Sequence, residues 1–281
     1  MMRPKSLALA LSLILSTAMP AWADEVITIS PGRAPLFGVS GPVAQSYILI
    51  EVENPIACLV LSPGGRGTLF VADRQLSINS TNFLVRSRHL FAAERFCVAV
   101  LDAATDFLFR PGGDGLRGLR RSSERIADIE AVIQDLRTRF GVPVWVVGTS
   151  RGTIDVAAVA AQLGPPVGPD GLVLTSTITR PSVVFQDNVL DDVDLGQVQV
   201  PTLLVFHKDD ACFTTPPEDV KDLKQRLVTS PKVRVLNFNG GSEPLSGPCQ
   251  ALSPHGFFGI EPKVVRDIAK RIEKLIEDTE P

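Results

Sequence analysis

Apolar residues in this chain gather into short continuous runs separated by amphipathic stretches. Ala57–Leu61, Cys97–Leu101, Val144–Val147, Leu172–Leu174, Leu203–Phe206 and the Val233–Phe238 segment are such runs. Short, β-rich runs of this kind fit strands buried on both faces, the signature of a parallel sheet. Between them the period changes. Ile126, Ile129, Val132, Ile133, Leu136 and Phe140 recur at helical spacing behind Ser122 or Ser123 as N-cap, and Gly141 and Pro143 stop the helix. Helices are also expected over Ser80–Arg95, Thr153–Leu163, Pro217–Leu227 and Glu261–Asp278, with a Gly- and Arg-rich loop over Asp106–Arg117. Upstream, Val26–Ile29 and Tyr47–Ile50, separated by Pro31-Gly32, read as opening antiparallel strands. Strand and helix alternate from residue 57 onward. The pattern predicts an α/β fold, a mostly parallel central sheet of about eight strands with helices on both faces.

The first residues change the picture of the chain's ends. Arg3 and Lys5 precede an uncharged apolar stretch, Ser6 to Met19, and Ala21-Trp22-Ala23 follows. That is the layout of a secretory signal peptide, residues 1–23, leaving 24–281 as one domain. The apolar stretch is shorter than the roughly 20 residues a spanning helix needs, so no membrane span is expected after cleavage, and a secreted or periplasmic location follows. The net charge of −3 is small, and Lys and Arg are scattered, so a nucleic-acid partner is not expected. Four cysteines, Cys58, Cys97, Cys212 and Cys249, make an even set in a chain bound for an oxidising compartment. Their spacing resembles no zinc site, and disulfides are the better reading, with three pairings open. No metal or organic cofactor is implied. Asn79-Ser80-Thr81 is a glycosylation sequon that matters only in a eukaryotic secretory route.

Candidate chemistry lies just after the strands, where open α/β sheets bind ligands. The Val144–Val147 run leads into Gly148-Thr149-Ser150-Arg151-Gly152, a G-x-S-x-G pattern at a strand-to-helix turn. Alone, this pentapeptide fits an ordinary βα turn. Its context adds His207-Lys208-Asp209-Asp210 after Phe206, and His255 in the long loop after Phe238. Serine, aspartate and histidine then follow in chain order, each from a different strand end. A serine hydroxyl needs an imidazole to take its proton, and the imidazole needs a carboxylate to fix its tautomer. The Gly-rich Ser62-Pro63-Gly64-Gly65-Arg66-Gly67, after the Ala57–Leu61 run, leaves backbone N–H groups free to face an oxyanion.

On these residues the chain resembles the α/β-hydrolase superfamily over nearly all of residues 24–281. The resemblance implies Ser150 as nucleophile, His255 as general base and acid, and Asp210, preferred over Asp209, as the orienting acid; an acid within Asp187–Asp194 is a third candidate. It implies oxyanion donors at the N–H of Arg151 and at Gly65, although the family more often has His-Gly where this chain has Ser62-Pro63. The Arg151 side chain is expected in an exposed salt bridge, His207 in loop bonding and His89 on the surface. A Cys212–Cys249 disulfide would tie the acid loop to the histidine loop, and Cys58 and Cys97 would begin neighbouring strands, bridged or as buried thiols. The activity implied is ester hydrolysis of a small-molecule or acyl substrate by a monomer, with little room for a lid over Thr177–Val200. Alternatives are a serine peptidase or aminopeptidase-like hydrolase, or a non-catalytic binding protein of the same fold.

Overall fold

The computed structural model describes residues 23–73 and 81–278, so residues 1–22 of the expected leader and the sequon's Asn79 and Ser80 lie outside the described residues. The strands are β1 (Glu25–Ile29), β2 (Gln45–Ile50), β3 (Ala57–Ser62), β4 (Phe96–Leu101), β5 (Val144–Thr149), β6 (Gly171–Thr175), β7 (Thr202–His207) and β8 (Val233–Phe238). They form one sheet in the order β1-β2-β4-β3-β5-β6-β7-β8. β2 pairs antiparallel with β1 and β4, and every later pairing is parallel.

Helices cover both faces: α1 (Phe83–Arg86), α2 (Arg88–Ala93), α3 (Thr105–Leu108), α4 (Ser123–Phe140), α5 (Gly152–Gln162), α6 (Val189–Asp192), α7 (Val220–Arg226) and α8 (Glu261–Glu277). Because side chains alternate across a strand, neighbours such as Leu59 and Val60 enter different cores. Val60, Val146, Leu172 and Leu204 pack with Val132 and Leu136 of α4 and Val156 of α5. Leu59, Val98, Val147 and Val205 pack with Phe83, Phe91 and Ile272 on the opposite face. Each such fully buried side chain contributes about 1.5–3 kcal/mol, which is what fixes the sheet against its helices.

Two local predictions are sharpened. Ser122 caps α4, its hydroxyl accepting from the Arg125 N–H at 3.2 Å, and Gly141 ends the helix at φ 64°. The expected helix over Ser80–Arg95 is instead two short helices that break at Ser87. The break turns Arg86 toward Glu261, at 2.8 Å, and lets Arg88 reach Asp24, at 2.7 Å. The Asp106–Arg117 segment opens with the helical turn α3 before becoming irregular. Cys58 faces Cys97 in the β3–β4 register and is bonded to it.

The parallel strands all end on one edge of the sheet. Ser62 ends β3 there, Ser150, Ser176 and Asp210 follow β5, β6 and β7, and the loop carrying His255 follows β8.

Candidate functional site

Ser150 sits on the turn between β5 and α5 at φ 51°, a left-handed conformation unusual for a residue with a side chain. Its N–H donates to the Thr175 carbonyl at 3.0 Å, and its carbonyl accepts from the Thr153 N–H at 3.0 Å. The flanking glycines are required by space. A Cβ on Gly148 would stand 2.5 Å from the Gly152 carbonyl oxygen, and one on Gly152 only 2.1 Å from that of Ser62. This strand-to-helix turn, the elbow, is therefore packed directly against the end of β3. Just beyond, a Cβ on Gly64 would lie 2.9 Å from the Ser150 Cβ, which brings the Gly-rich loop beside the serine. Gly65 follows at φ 65° on the exposed side.

Asp210 and His255 form a buried pair. The His255 Nδ1–H donates to Asp210 Oδ2 at 3.0 Å, and the two residues are 4% and 7% exposed. The carboxylate is held on its other side as well. Asp210 Oδ1 accepts from the Cys212 N–H at 2.9 Å, and Oδ2 accepts from the Thr215 hydroxyl at 2.9 Å. Thr215 also stands 3.1 Å from His255 Nδ1. With Nδ1 engaged, Nε2 is the imidazole nitrogen left to exchange a proton in the cavity. Behind the ring, the Ser176 hydroxyl donates to the His255 carbonyl at 2.7 Å.

Ser150 and His255 line one half-open cavity of about 460 Å³ with Gly64, Gly65, Asn82 and Gln250. Apart from His255, no side chain lining it is ionisable among the described residues. Cys249 lies in its wall and is bonded to Cys212.

The rival acids lie elsewhere. Asp209 is exposed; its N–H donates to His207 Nδ1 at 3.1 Å and its carboxylate stays 3.8 Å from that ring. His207 Nε2 lies 2.9 Å from the Gly240 carbonyl oxygen, so this histidine joins two loops. In the Asp187–Asp194 segment, Asp187 and Asp192 pair with Arg121, Asp191 with Asn188, and Asp194 accepts from the Gly196 N–H. His89 is partly exposed on α2, 3.2 Å from Asp24.

The Arg151 side chain departs from its expected salt bridge. Its guanidinium lies 3.9 Å from the centre of the Phe185 ring, and burial lowers its pKa. The neighbouring aromatic face offers a cation–π contact, which replaces a carboxylate partner.

Sequence reasoning missed three contributors. Thr215 carried no signal beyond lying in the acid loop. Asn82 caps α1, its Oδ1 accepting from the Leu84 N–H, and so turns its amide NH₂ toward Gly64. Asp155, fully buried in α5, takes hydrogen bonds from Ser62, Arg120 and Arg125 beneath the elbow. A charged residue inside a mostly apolar helix was its available sign.

Among the described residues, no cluster of His, Cys, Asp and Glu could hold a metal ion, and no helix is long and apolar enough to cross a membrane. No protein-family model and no curated protein matches the sequence. Solved structures do match. An esterase of Pyrococcus furiosus is 14% identical, with 92% of this chain and 93% of that one covered at a TM-score of 0.56. A cold-adapted esterase from an Arctic intertidal metagenomic library is 15% identical over 91% of this chain and 99% of that one, at 0.53. A serine hydrolase without a lid from Xanthomonas campestris is 15% identical over 94% and 97%, at 0.51. At such identities the likeness speaks for architecture, and the chain has the α/β-hydrolase fold.

Proposed function

We propose that this protein is a serine hydrolase that cleaves a small ester through an acyl intermediate on Ser150. The observation that carries the reading is the buried Asp210–His255 hydrogen bond on the same cavity as a serine held at positive φ. Ser150 Oγ attacks the ester carbonyl while His255 Nε2 takes its proton, and Asp210 holds the ring and offsets its positive charge. The developing oxyanion is received by the Arg151 N–H and by an amide of the glycine loop, for which Gly65 is the sequence candidate. Collapse expels the alcohol, which takes the proton from His255. Water, deprotonated by the same ring, then releases the acid and restores Ser150.

The cavity supports an uncharged substrate. Thr81, Asn82, Ser246 and Gln250 offer hydrogen bonds without formal charge, and Phe83 and Leu252 offer apolar surface. Between β6 and β7 lie only α6 and a single 3₁₀ turn, too little chain for a large lid, which favours short acyl groups. Two disulfides suit secretion or a periplasm, reached after removal of residues 1–23. We place residues 24–281 in a single domain acting as a monomer.

A panel of p-nitrophenyl esters of graded acyl length, set beside aminoacyl anilides, tests the reaction class. Turnover of short neutral esters that disappears in Ser150→Ala is expected. Preference for the anilides would make the protein a peptidase, and no turnover of either would return it to the binding proteins of this fold.

A further inference from the structure

Arg120 is 3% exposed, beneath the glycine loop and away from the cavity. Its guanidinium makes three directed bonds. One η-nitrogen donates to Asp155 Oδ2 at 2.7 Å, and the other to the carbonyls of Pro63 and Gly65 at 3.2 Å each. Asp155 belongs to α5, which begins two residues after Ser150, and it also accepts the hydroxyl of Ser62 at the end of β3. One planar cation thus ties the elbow helix to the loop beside the nucleophile. Gly67 makes room for it: a Cβ there would stand 2.7 Å from the Arg120 guanidinium nitrogen.

The consequence follows from peptide geometry. In a trans peptide the C=O and the N–H point in opposite directions. The Pro63 carbonyl faces Arg120, so the Gly64 N–H faces away from it. Gly64 lines the cavity and touches the Ser150 side of the loop, and Arg120 does neither. The Gly65 carbonyl, fixed by the same nitrogen, likewise aims the Arg66 N–H away from the guanidinium.

We propose that Arg120 is a positioning residue that aims the oxyanion-loop amides, with the Gly64 N–H rather than that of Gly65 as the loop donor. This deepens the hydrolase reading and rests on it. Arg120 never touches substrate. It acts by holding two carbonyls so that the amides on the far side are set before the substrate arrives. Burial pushes its guanidinium down to about 10, against the pull of Asp155, so it is charged at neutral pH. Lysine is a poor replacement, because one ammonium on a flexible stem lacks the planar fork that reaches a carboxylate and two carbonyls together.

The test uses the full chain carrying Arg120→Lys and Arg120→Ala. A misaimed donor weakens transition-state binding more than ground-state binding, so kcat should fall about 10- to 100-fold with KM within about threefold. Hydrogen exchange of the amides at residues 64–67 should quicken in both variants. Guanidinium ion at millimolar concentration should restore part of the kcat of Arg120→Ala, and ammonium should not. If Arg120→Ala does not fold, Arg120→Lys decides alone. Parental kcat together with parental exchange at 64–67 in a folded variant overturns the proposal, as does a loss expressed wholly in KM. If the parent protein turns over neither esters nor anilides, the hydrolase reading fails, and the exchange measurement still judges the clamp.

Discussion

Gly152→Ala separates catalytic geometry from general stability. The added Cβ would fall 2.1 Å from the Ser62 carbonyl oxygen, 2.8 Å from its carbon and 3.0 Å from the Pro63 oxygen. These are backbone atoms, so no side chain can swing aside, and ordinary contact requires the elbow and β3 to part by about 1 Å or more. Overpacking of this kind costs about 1–3 kcal/mol, or about 2–4 °C in Tm per kcal/mol for a domain of this size. Catalysis should suffer more, because a 1 Å misplacement at a reacting centre costs on the order of 100-fold. Gly141→Ala is the control. That glycine lies at φ 64° with nothing within 4 Å of the new Cβ, so it costs about 1–2 kcal/mol of backbone strain far from the site. Thermal unfolding and kcat measured on both variants should show similar losses of stability and a loss of kcat in Gly152→Ala alone. Parental kcat in Gly152→Ala would refute the proposal that activity depends on the close packing of the Ser150 turn against Ser62 and Pro63.

Other perturbations probe the acid loop. Asp210→Asn should lower kcat on the order of 10⁴-fold by spoiling the imidazole tautomer, while Asp209→Asn leaves it within a factor of about two, as befits an exposed carboxylate; equal losses would reverse their roles. Cys212→Ser opens a loop closed across 37 residues. A chain-entropy cost of about 4 kcal/mol should appear in denaturant unfolding, and recovery of Cys212 and Cys249 as free thiols in folded, air-exposed protein would contradict the bridge. Asp219 is pulled opposite ways, burial raising its pKa and the bonds from Arg180 and Thr179 bringing it below its ordinary 3.8. Its contribution to stability is complete above that value and is lost as pH falls through the lower, folded pKa. Unfolding measured between pH 5 and 2 should therefore be less acid-dependent in Asp219→Asn, and an unchanged slope would count against the ion pair.

The order of strands and helices was legible because its signals are local. Buried runs, a serine cap at 122 or 123 and the stop at Gly141 each act within a few residues. Ser150, Asp210 and His255 could be grouped as candidates because each comes after a strand, and strand ends share one edge of the sheet. What escaped reading is long-range. Ser62 and Asp155 are 93 positions apart, Arg120 and Asp155 35, and Thr215 and His255 40, so no spacing rule joins them. The break at Ser87 escaped for a related reason. The local pattern permits one helix there, and the pull of Arg86 toward Glu261, 175 positions on, acts only in the folded protein.

The central claim is that Ser150 is a nucleophile activated by His255. Reaction with a fluorophosphonate, followed by mass mapping of the adduct, tests it most directly. One adduct is predicted, on the peptide containing Ser150, absent in Ser150→Ala and formed far more slowly in His255→Ala. An adduct that persists in folded Ser150→Ala, or undiminished labelling without His255, would contradict the account.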